Sequence, residues 1–369
     1  MVSETDGAVA DEKAPVERRV FLWVGRIVLA LLVVVALSMV TGLVYQATAT
    51  ARDASAFPPP GQRIDVGGYS LHLYCLGEGT PTVILDAANQ GTVSNWAWIQ
   101  PELARTTRVC AYDRAGLGWS DLGPEPQDVQ QNAAALHTLL EKAGVQPPYV
   151  LVGHSLGGLY SRMYAEMYPA EVVGMALIEG TLPDGLSALG QPDVMPNAPD
   201  EGMIDTAPVV SRLGLLRLMG FPSTDQDLPE RQRAELAAYL ASPTWAEMIK
   251  RQYHLFPTLL AQVRPLYRAG SLNDIPLAVI LGSEGDGGIQ AWRELFQAQA
   301  ELSTNGKIYR IEGATHISLV DRQEHAGQTR AVIEDVLDRT AAPQGSQLHR
   351  DALAGRATIA ARSSEVAVA

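Results

Sequence analysis

The chain has very little cysteine and no concentration of basic residues. Cys75 and Cys110 are its only cysteines, and its seven histidines never cluster with them at the spacing of metal ligands, so no metal site is expected. The 28 Lys and Arg residues face 41 Asp and Glu residues, which gives a net charge of −13. Without a basic block, the folded part is a poor partner for nucleic acid or for anionic lipid.

A nucleotide-binding loop and internal repeats are also missing. The glycine-containing segment from Asp113 to Asp121 lacks the following lysine and the helix-opening Ser or Thr that a phosphate loop requires. We therefore predict that the protein works without a cofactor.

Residues 27–45 form a long hydrophobic run without a single charge, long enough to cross a bilayer as a helix. More positive charges precede the run than closely follow it, so the positive-inside rule puts residues 1–26 in the cytoplasm and the rest outside. The basic residues before the run are Lys13, Arg18, Arg19 and Arg26, and those after it are Arg52 and Arg63. We predict a retained single-pass anchor in the cell membrane.

A cleaved signal peptide, which would release a secreted protein, is the alternative interpretation. Ala47-Thr48-Ala49 and Ala54-Ser55-Ala56 both resemble cleavage sites, but the apolar core is longer than that of a usual signal peptide. Residues 46–61, which include Pro58, Pro59 and Pro60, are predicted to form a stiff linker. Residues 341–369 are rich in Ala, Ser, Gln and Arg and are predicted to be a disordered tail.

Residues 62–340 alternate between strand-like and helix-like patterns, which predicts an α/β domain with a mostly parallel sheet and helices on both faces. The predicted strands are a pair within 62–75, then 82–87, 108–112, 149–152, 173–179, 276–282 and 307–311. The predicted helices are 97–104, 127–143, 159–168 and 325–340. Residues 183–273 interrupt the alternation with a helical, proline-containing pattern, so we expect an inserted helical lid.

The segment Gly153-His154-Ser155-Leu156-Gly157 follows an apolar strand and precedes a helix. A G-x-S-x-G pattern in this context predicts a nucleophile elbow, a turn so tight that the neighbours of the serine must be small. The elbow lifts the serine hydroxyl onto the N-terminus of a helix, where backbone amides can stabilise developing negative charge.

Three motifs make the chain resemble the α/β-hydrolase superfamily, in particular its lipase, esterase and small-molecule hydrolase members. They are the elbow with Gly158, the segment from Tyr112 to Asp121, and Glu312-Gly313-Ala314-Thr315-His316. The resemblance covers residues 62–339 and implies a cofactor-free Ser-His-acid triad with Ser155 as the nucleophile. It also implies that the strands of Cys75 and Cys110 are antiparallel neighbours, which makes a disulfide as plausible as two buried thiols and leaves both open.

The base must be a histidine, because only imidazole titrates near neutral pH. His316 fits best, since it follows the last strand, as the Ser, acid, His order of this superfamily requires. His154 lies inside the elbow and is interpreted as a packing or pocket-lining residue. In the superfamily the acid usually follows the strand that is here 276–282, which makes Asp286 the first candidate. Glu179, at the end of the preceding core strand, is the alternative.

The resemblance also implies where the oxyanion hole lies. One donor is the backbone N–H of Leu156, directly after the nucleophile, and the second is the backbone N–H of Asn89, after the strand 82–87. These features predict a membrane-anchored serine hydrolase of carboxylic esters, with a small or acyl-lipid-like substrate. An amidase, thioesterase, peptidase or acyltransferase would use the same residues, and a non-catalytic binding or receptor protein is the alternative class. The oligomeric state stays open.

Overall fold

The fold is built on one eight-stranded sheet with strand order β1-β2-β4-β3-β5-β6-β7-β8. The computed structural model of the protein describes residues 14–195, 199–220, 227–284 and 290–341. The strands are β1 Gln62–Asp65, β2 Ser70–Leu76, β3 Thr82–Asp86, β4 Val109–Asp113, β5 Tyr149–His154, β6 Val172–Ile178, β7 Leu277–Gly282 and β8 Gly306–Ile311. β2 runs antiparallel to β1 and β4, and every other pair is parallel.

Helices cover both faces of the sheet, as the alternating pattern predicts. They are α1 Ala14–Ala56, α2 Gln100–Leu103, α3 Val129–Lys142, α4 Gly157–Met167, α5 Gly185–Ala188, α6 Glu201–Arg212, α7 Leu215–Leu218, α8 Glu230–Leu240, α9 Pro243–Val263, α10 Gln290–Ala300, α11 Ser318–Asp321 and α12 Gln323–Ala341. β3, β4, β5 and β7 are buried along their whole length. Two separate apolar clusters pack against the two faces, as in parallel sheets wound by helices on both sides.

The predicted lid is present as helices α5 to α9, which lie between β6 and β7 in the chain. α6 packs extensively on α9, and α9 also contacts α4, the helix that follows the elbow. The lid therefore sits over the edge of the sheet where the parallel strands end.

The N-terminal segment differs from the prediction in one respect. α1 is a single helix through Ala56, so most of the predicted linker 46–61 is helical and continuous with the hydrophobic run. The Ala-rich residues 47–56 favour helix, and Gln46 is buried where its amide donates to the carbonyl of Ala241. The chain leaves the helical conformation only at the prolines. Residues 1–13 and the predicted tail, apart from its first residue, lie outside the described residues.

Cys75 and Cys110 form a disulfide between β2 and β4, where they are directly opposed in the antiparallel register. The strands are the antiparallel neighbours that the superfamily resemblance implies. The predicted helix 97–104 is shorter than expected, because a 3₁₀ turn at Val93–Trp96 precedes the four-residue α2.

Candidate active site

Ser155 occupies the turn between β5 and α4 with a backbone φ of 53°. A non-glycine residue in this left-handed region is strained, as expected of a nucleophile elbow. The turn has room only for glycines around it: a Cβ on Gly153 would lie 2.7 Å from the Cα of Gly158, and a Cβ on Gly157 would overlap the carbonyl of Asp86. The N–H of Ser155 donates to the carbonyl of Ile178 on β6, which fixes the turn on the neighbouring strand.

His316 lies in the loop after β8, and its Nδ1 is 2.7 Å from Oε2 of Glu179. Since a carboxylate only accepts hydrogen bonds, Nδ1 carries the proton and donates it. In the neutral imidazole this leaves Nε2 unprotonated and able to accept a proton. The histidine is thus in the tautomer that a general base requires.

Glu179 follows β6 directly and has its other carboxylate oxygen held by the backbone. The N–H of Gly282, the last residue of β7, donates to Oε1 of Glu179 over 2.8 Å, and the Glu179 N–H donates to the carbonyl of Ile280. A side chain at Gly282 would overlap the carbonyl of Ala314, so glycine is required where Glu179, β7 and the loop that carries His316 meet. Asp286, the first candidate acid, lies outside the described residues.

The two predicted oxyanion donors line the same cavity as Ser155. Leu156 caps the N-terminus of α4, and Asn89 lies in the loop after β3. Among the described residues, neither backbone N–H has a hydrogen-bond acceptor. The Asn89 side chain turns to Met195 of the lid, with 3.2 Å between Nδ2 and Sδ.

Arg114, at the end of β4, holds the loop that carries Asn89. Its guanidinium donates to the carbonyls of Ala87 and Ala88, both over 2.7 Å, and forms a buried ion pair with Asp86. Burial raises the pKa of the Asp86 carboxyl, and the adjacent guanidinium opposes that rise. The superfamily resemblance implies local hydrogen bonds of Arg114 that brace the elbow region, and the structure directs them to the loop after β3.

His154 is buried beside the histidine loop. Its Nε2 is 3.0 Å from the carbonyl oxygen of His316, and the two imidazole rings lie 4.8 Å apart. Burial, followed by the charge of His316, lowers the pKa of His154 well below its ordinary value. The ring is therefore neutral and donates Nε2–H to the backbone carbonyl of His316.

The segment from Asp113 to Asp121 is structural. Asp113 is fully buried and accepts hydrogen bonds from His72 Nδ1 and from the N–H groups of Val93 and Trp119. A Cβ on Gly118 would overlap the Asp113 carboxylate, which explains the glycine.

Two cavities meet at Asn89, Ser155 and His316. The larger, of about 470 Å³, has a mostly apolar wall, and the smaller, of about 290 Å³, is partly polar. The apolar wall includes Leu182, Leu186, Met195, Phe256, Trp292 and Phe296. Gln90, Asn95, His154, Leu236 and Leu240 belong to the smaller cavity.

One group of side chains in the described part of the chain has the spacing of metal ligands: Glu201, Asp205 and His254 on the outside of the lid. Asp205 is paired there with Lys250 and His254, so the group is accounted for as an exposed ion-pair cluster. None of these three residues lines either cavity that meets at Ser155.

The model of the alpha/beta hydrolase family matches residues 88–329. An AB hydrolase superfamily protein of Gibberella zeae is 35% identical over 103 residues, 27% of this chain and 32% of its own length. The chain thus spans well under two thirds of the curated relatives that it matches.

Solved structures share the fold at low sequence identity. An enol-lactonase from Burkholderia xenovorans LB400 superposes with a TM-score of 0.56 at 20% identity, over 75% of this chain and 100% of that one. A membrane phospholipase A described as a bacterial virulence factor gives a TM-score of 0.53 at 19% identity, over 87% and 99%. At this identity the likeness extends to the fold alone.

Proposed function

Because the chain belongs to the alpha/beta hydrolase family, we propose that it is a serine hydrolase of carboxylic esters with Ser155 as nucleophile, His316 as base and Glu179 as acid. The observation that carries the proposal is the 2.7 Å contact between His316 Nδ1 and Glu179. This contact orients the imidazole of His316, which lines the same cavity as Ser155. Ser155 excludes the carboxylate-nucleophile chemistry that other members of this fold use.

In the proposed acylation, Oγ of Ser155 attacks the ester carbonyl carbon while Nε2 of His316 takes the hydroxyl proton. Glu179 stabilises the imidazolium that forms, and His316 then returns the proton to the departing alkoxide, which leaves as the alcohol. Deacylation repeats the sequence with water: His316 removes a proton from water, the hydroxide attacks the acyl carbon, and Ser155 leaves reprotonated.

The negative charge on the carbonyl oxygen develops next to the N–H groups of Leu156 and Asn89. Loss of one such donor raises the barrier by about 3 kcal/mol in enzymes of this type. Arg114 supports this step indirectly, since it holds the carbonyls of Ala87 and Ala88 and so limits movement of the Asn89 backbone.

The residues that line the two cavities support an ester with an apolar acyl group as the substrate. The larger cavity offers leucine, methionine and aromatic side chains to an acyl chain, as expected of a site that binds an apolar ligand. The smaller, partly polar cavity is suited to the alcohol part.

α1 is proposed to anchor the enzyme in the membrane, with the catalytic domain outside. The helix has a mean hydropathy of 2.9 over its most apolar window, and none of that window is buried in the protein. The Cys75–Cys110 disulfide supports an oxidising compartment outside the cytoplasm. Retention is favoured over cleavage, because cleavage after Ala49 would remove the buried contact of Gln46.

Labelling with a fluorophosphonate probe tests the catalytic proposal on the full-length protein in detergent. Wild type and Ser187→Ala, which changes an exposed serine on α5, are expected to be labelled, whereas Ser155→Ala is not. Turnover of p-nitrophenyl esters of increasing acyl length then reports how the larger cavity is used. A folded wild-type protein that takes no label would favour a binding protein on a hydrolase scaffold.

A further inference from the structure

The end of the lid carries an unusual amount of exposed apolar surface. We call residues 214–219 the lid tip; they comprise Gly214, the short helix α7 and Met219. The exposed fractions of Leu215, Leu218 and Met219 are 43%, 65% and 77%. These three positions are spaced i, i+3 and i+4, so they share one face of the helical turn.

The lid tip lies against α1, and its position along that helix is fixed by close contacts. Gly42 packs so tightly on Leu213, just before the tip, that a Cβ there would overlap the Leu213 carbonyl oxygen. A Cβ on Gly214 would lie 2.7 Å from the ring of Tyr45. Arg217 forms an ion pair of 2.6 Å with Asp53, farther along α1.

These contacts set the height of the lid tip relative to a membrane. At 1.5 Å per residue, the run 27–45 is about 28 Å long and matches the hydrocarbon thickness of a bilayer. Gly42 and Tyr45 belong to the outer end of that run, so Leu213 and Gly214 lie where the hydrocarbon gives way to the headgroups. Asp53 is about 12 Å farther out. The ion pair holds Arg217 to that outer point, and Leu215 directly follows Gly214 in the chain.

From this placement we propose that the lid tip is immersed in the membrane that α1 spans, with Leu215, Leu218 and Met219 among the lipids of the outer leaflet. The inference rests on the anchoring part of the proposed function and goes beyond it, because it assigns a second membrane contact to the catalytic domain itself. Apolar side chains on a short helix at this depth bury several ångströms into the interface.

The contact also brings the substrate cavity to the lipid. α6 ends directly before the tip and packs on α9, and α9 contributes Phe256 and Leu260 to the larger cavity. The tip and the larger cavity are thus connected through the packed helices α6 and α9.

Site-directed spin labelling tests the immersion directly. Both native cysteines are paired, so one introduced cysteine can be labelled alone. Leu218→Cys carries a nitroxide in the full-length protein, reconstituted in phosphatidylcholine liposomes. Ile308→Cys is the matched control: its exposed fraction is 38%, and it lies on β8, which packs on β7, α10 and α12.

Collision with oxygen and with a water-soluble nickel complex reports the surroundings of each label. We expect the label at Leu218→Cys to be relaxed severalfold more by oxygen than by nickel, and the label at Ile308→Cys to show the opposite preference. Equal access to nickel at both labels would overturn the immersion. Spin–spin broadening at Leu218→Cys that vanishes on dilution with unlabelled protein would assign the tip to a second copy of the chain, and would overturn it as well.

Two further measurements on the same sample separate this inference from the proposed function. If α1 does not anchor the chain, the protein leaves the liposomes in alkaline carbonate, which overturns the anchor and the immersion together. Hydrolysis of a water-soluble p-nitrophenyl ester reports the active site independently of both. A protein that resists carbonate and hydrolyses the ester, but carries a water-exposed label, overturns the immersion alone.

Discussion

Ser155 and Glu179 both have a positive backbone φ, of 53° and 37°, although neither is a glycine. Each follows a central parallel strand and places its side chain at the carboxyl edge of the sheet. Such conformations cost on the order of 1–3 kcal/mol each and persist only where the surrounding structure holds them. Here the N–H groups of Ser155 and Glu179 donate hydrogen bonds to the carbonyls of Ile178 and Ile280 on the neighbouring strands. Two of the four non-glycine residues with a positive φ in the described part of the chain thus belong to the proposed triad.

Two substitutions test which carboxylate is the acid of the triad. Glu179→Gln keeps the size of the side chain but removes the charge that orients and stabilises His316, so kcat is expected to fall by about 1,000-fold or more. Asp286→Asn is the matched control and is expected to keep near-normal turnover. Esterase assays on both purified variants, with circular dichroism to check folding, decide the point. The reverse pattern would assign the acid to the loop after β7.

His154 predicts a specific pH dependence of stability. Burial lowers its pKa in the folded state, so below the ordinary histidine value of about 6.5 the unfolded chain binds a proton that the folded chain does not. Stability is then fully present above that value and is lost as the pH falls, by about 1.4 kcal/mol per pH unit from this group.

Denaturant unfolding of wild type and His154→Asn between about pH 5 and about pH 8 measures this effect, since those limits bracket the ordinary histidine pKa. The variant is expected to be less stable at neutral pH, because the hydrogen bond to the His316 carbonyl is weakened. Its stability is also expected to decline less on acidification. Parallel curves for the two proteins would show that His154 does not carry the acid sensitivity.

At the scale of secondary-structure elements, the contact between α1 and the lid depends on Gly42. Gly42→Leu is expected to push α1 away from Leu213 and to lower the unfolding free energy of the catalytic domain by roughly 1–3 kcal/mol. Gly25→Leu is the control, because a Cβ at Gly25 has no neighbour within 4 Å. Since leucine is a better helix former than glycine, the control is expected to be neutral or stabilising.

Thermal unfolding of both variants in detergent compares them under one condition. A drop in the melting temperature for Gly42→Leu alone is the expected result. Equal melting temperatures would show that the domain does not depend on the packing of α1.

The strands and most helices could be predicted because buried parallel strands are short apolar runs bounded by glycines and prolines, and the helices between them are amphipathic. Two features could not be predicted from the local sequence. Helix from 46 to 56 is supported by tertiary contacts of Gln46 and Asp53 with residues 195 and 164 positions later. α10 was not predicted, because its amphipathic pattern extends over only 11 residues.

In the candidate site, too, some residues could be predicted from the sequence and one could not. Ser155, Leu156, Asn89 and His316 line one cavity, and each was identifiable from a local motif or from its position after a strand. The acid was ambiguous because two strand ends, those of β6 and β7, reach the histidine loop. Which carboxylate meets His316 depends on the close packing at Gly282, and no local pattern reports that.

For the whole molecule, we predict that the catalytic domain lies on the non-cytoplasmic side of the membrane and that α1 is not cleaved. Protease added to sealed vesicles of known sidedness is expected to remove the catalytic domain only from the non-cytoplasmic side. The intact mass of the purified protein is expected to include residues 27–45. A mass that begins near residue 50 would identify α1 as a cleaved signal peptide, and a domain protected from outside protease would reverse the orientation.

α1 passes from the hydrophobic run into the catalytic domain without a break, as one helix of 43 residues. If α1 spans the membrane as proposed, this continuous helix holds the hydrolase domain at a fixed height and tilt above the lipid. For a lipid-like ester, its rate would follow the number of substrate molecules per unit area rather than per unit volume. Adding inert lipid at constant total substrate would then slow turnover by surface dilution, even though the concentration in the sample is unchanged.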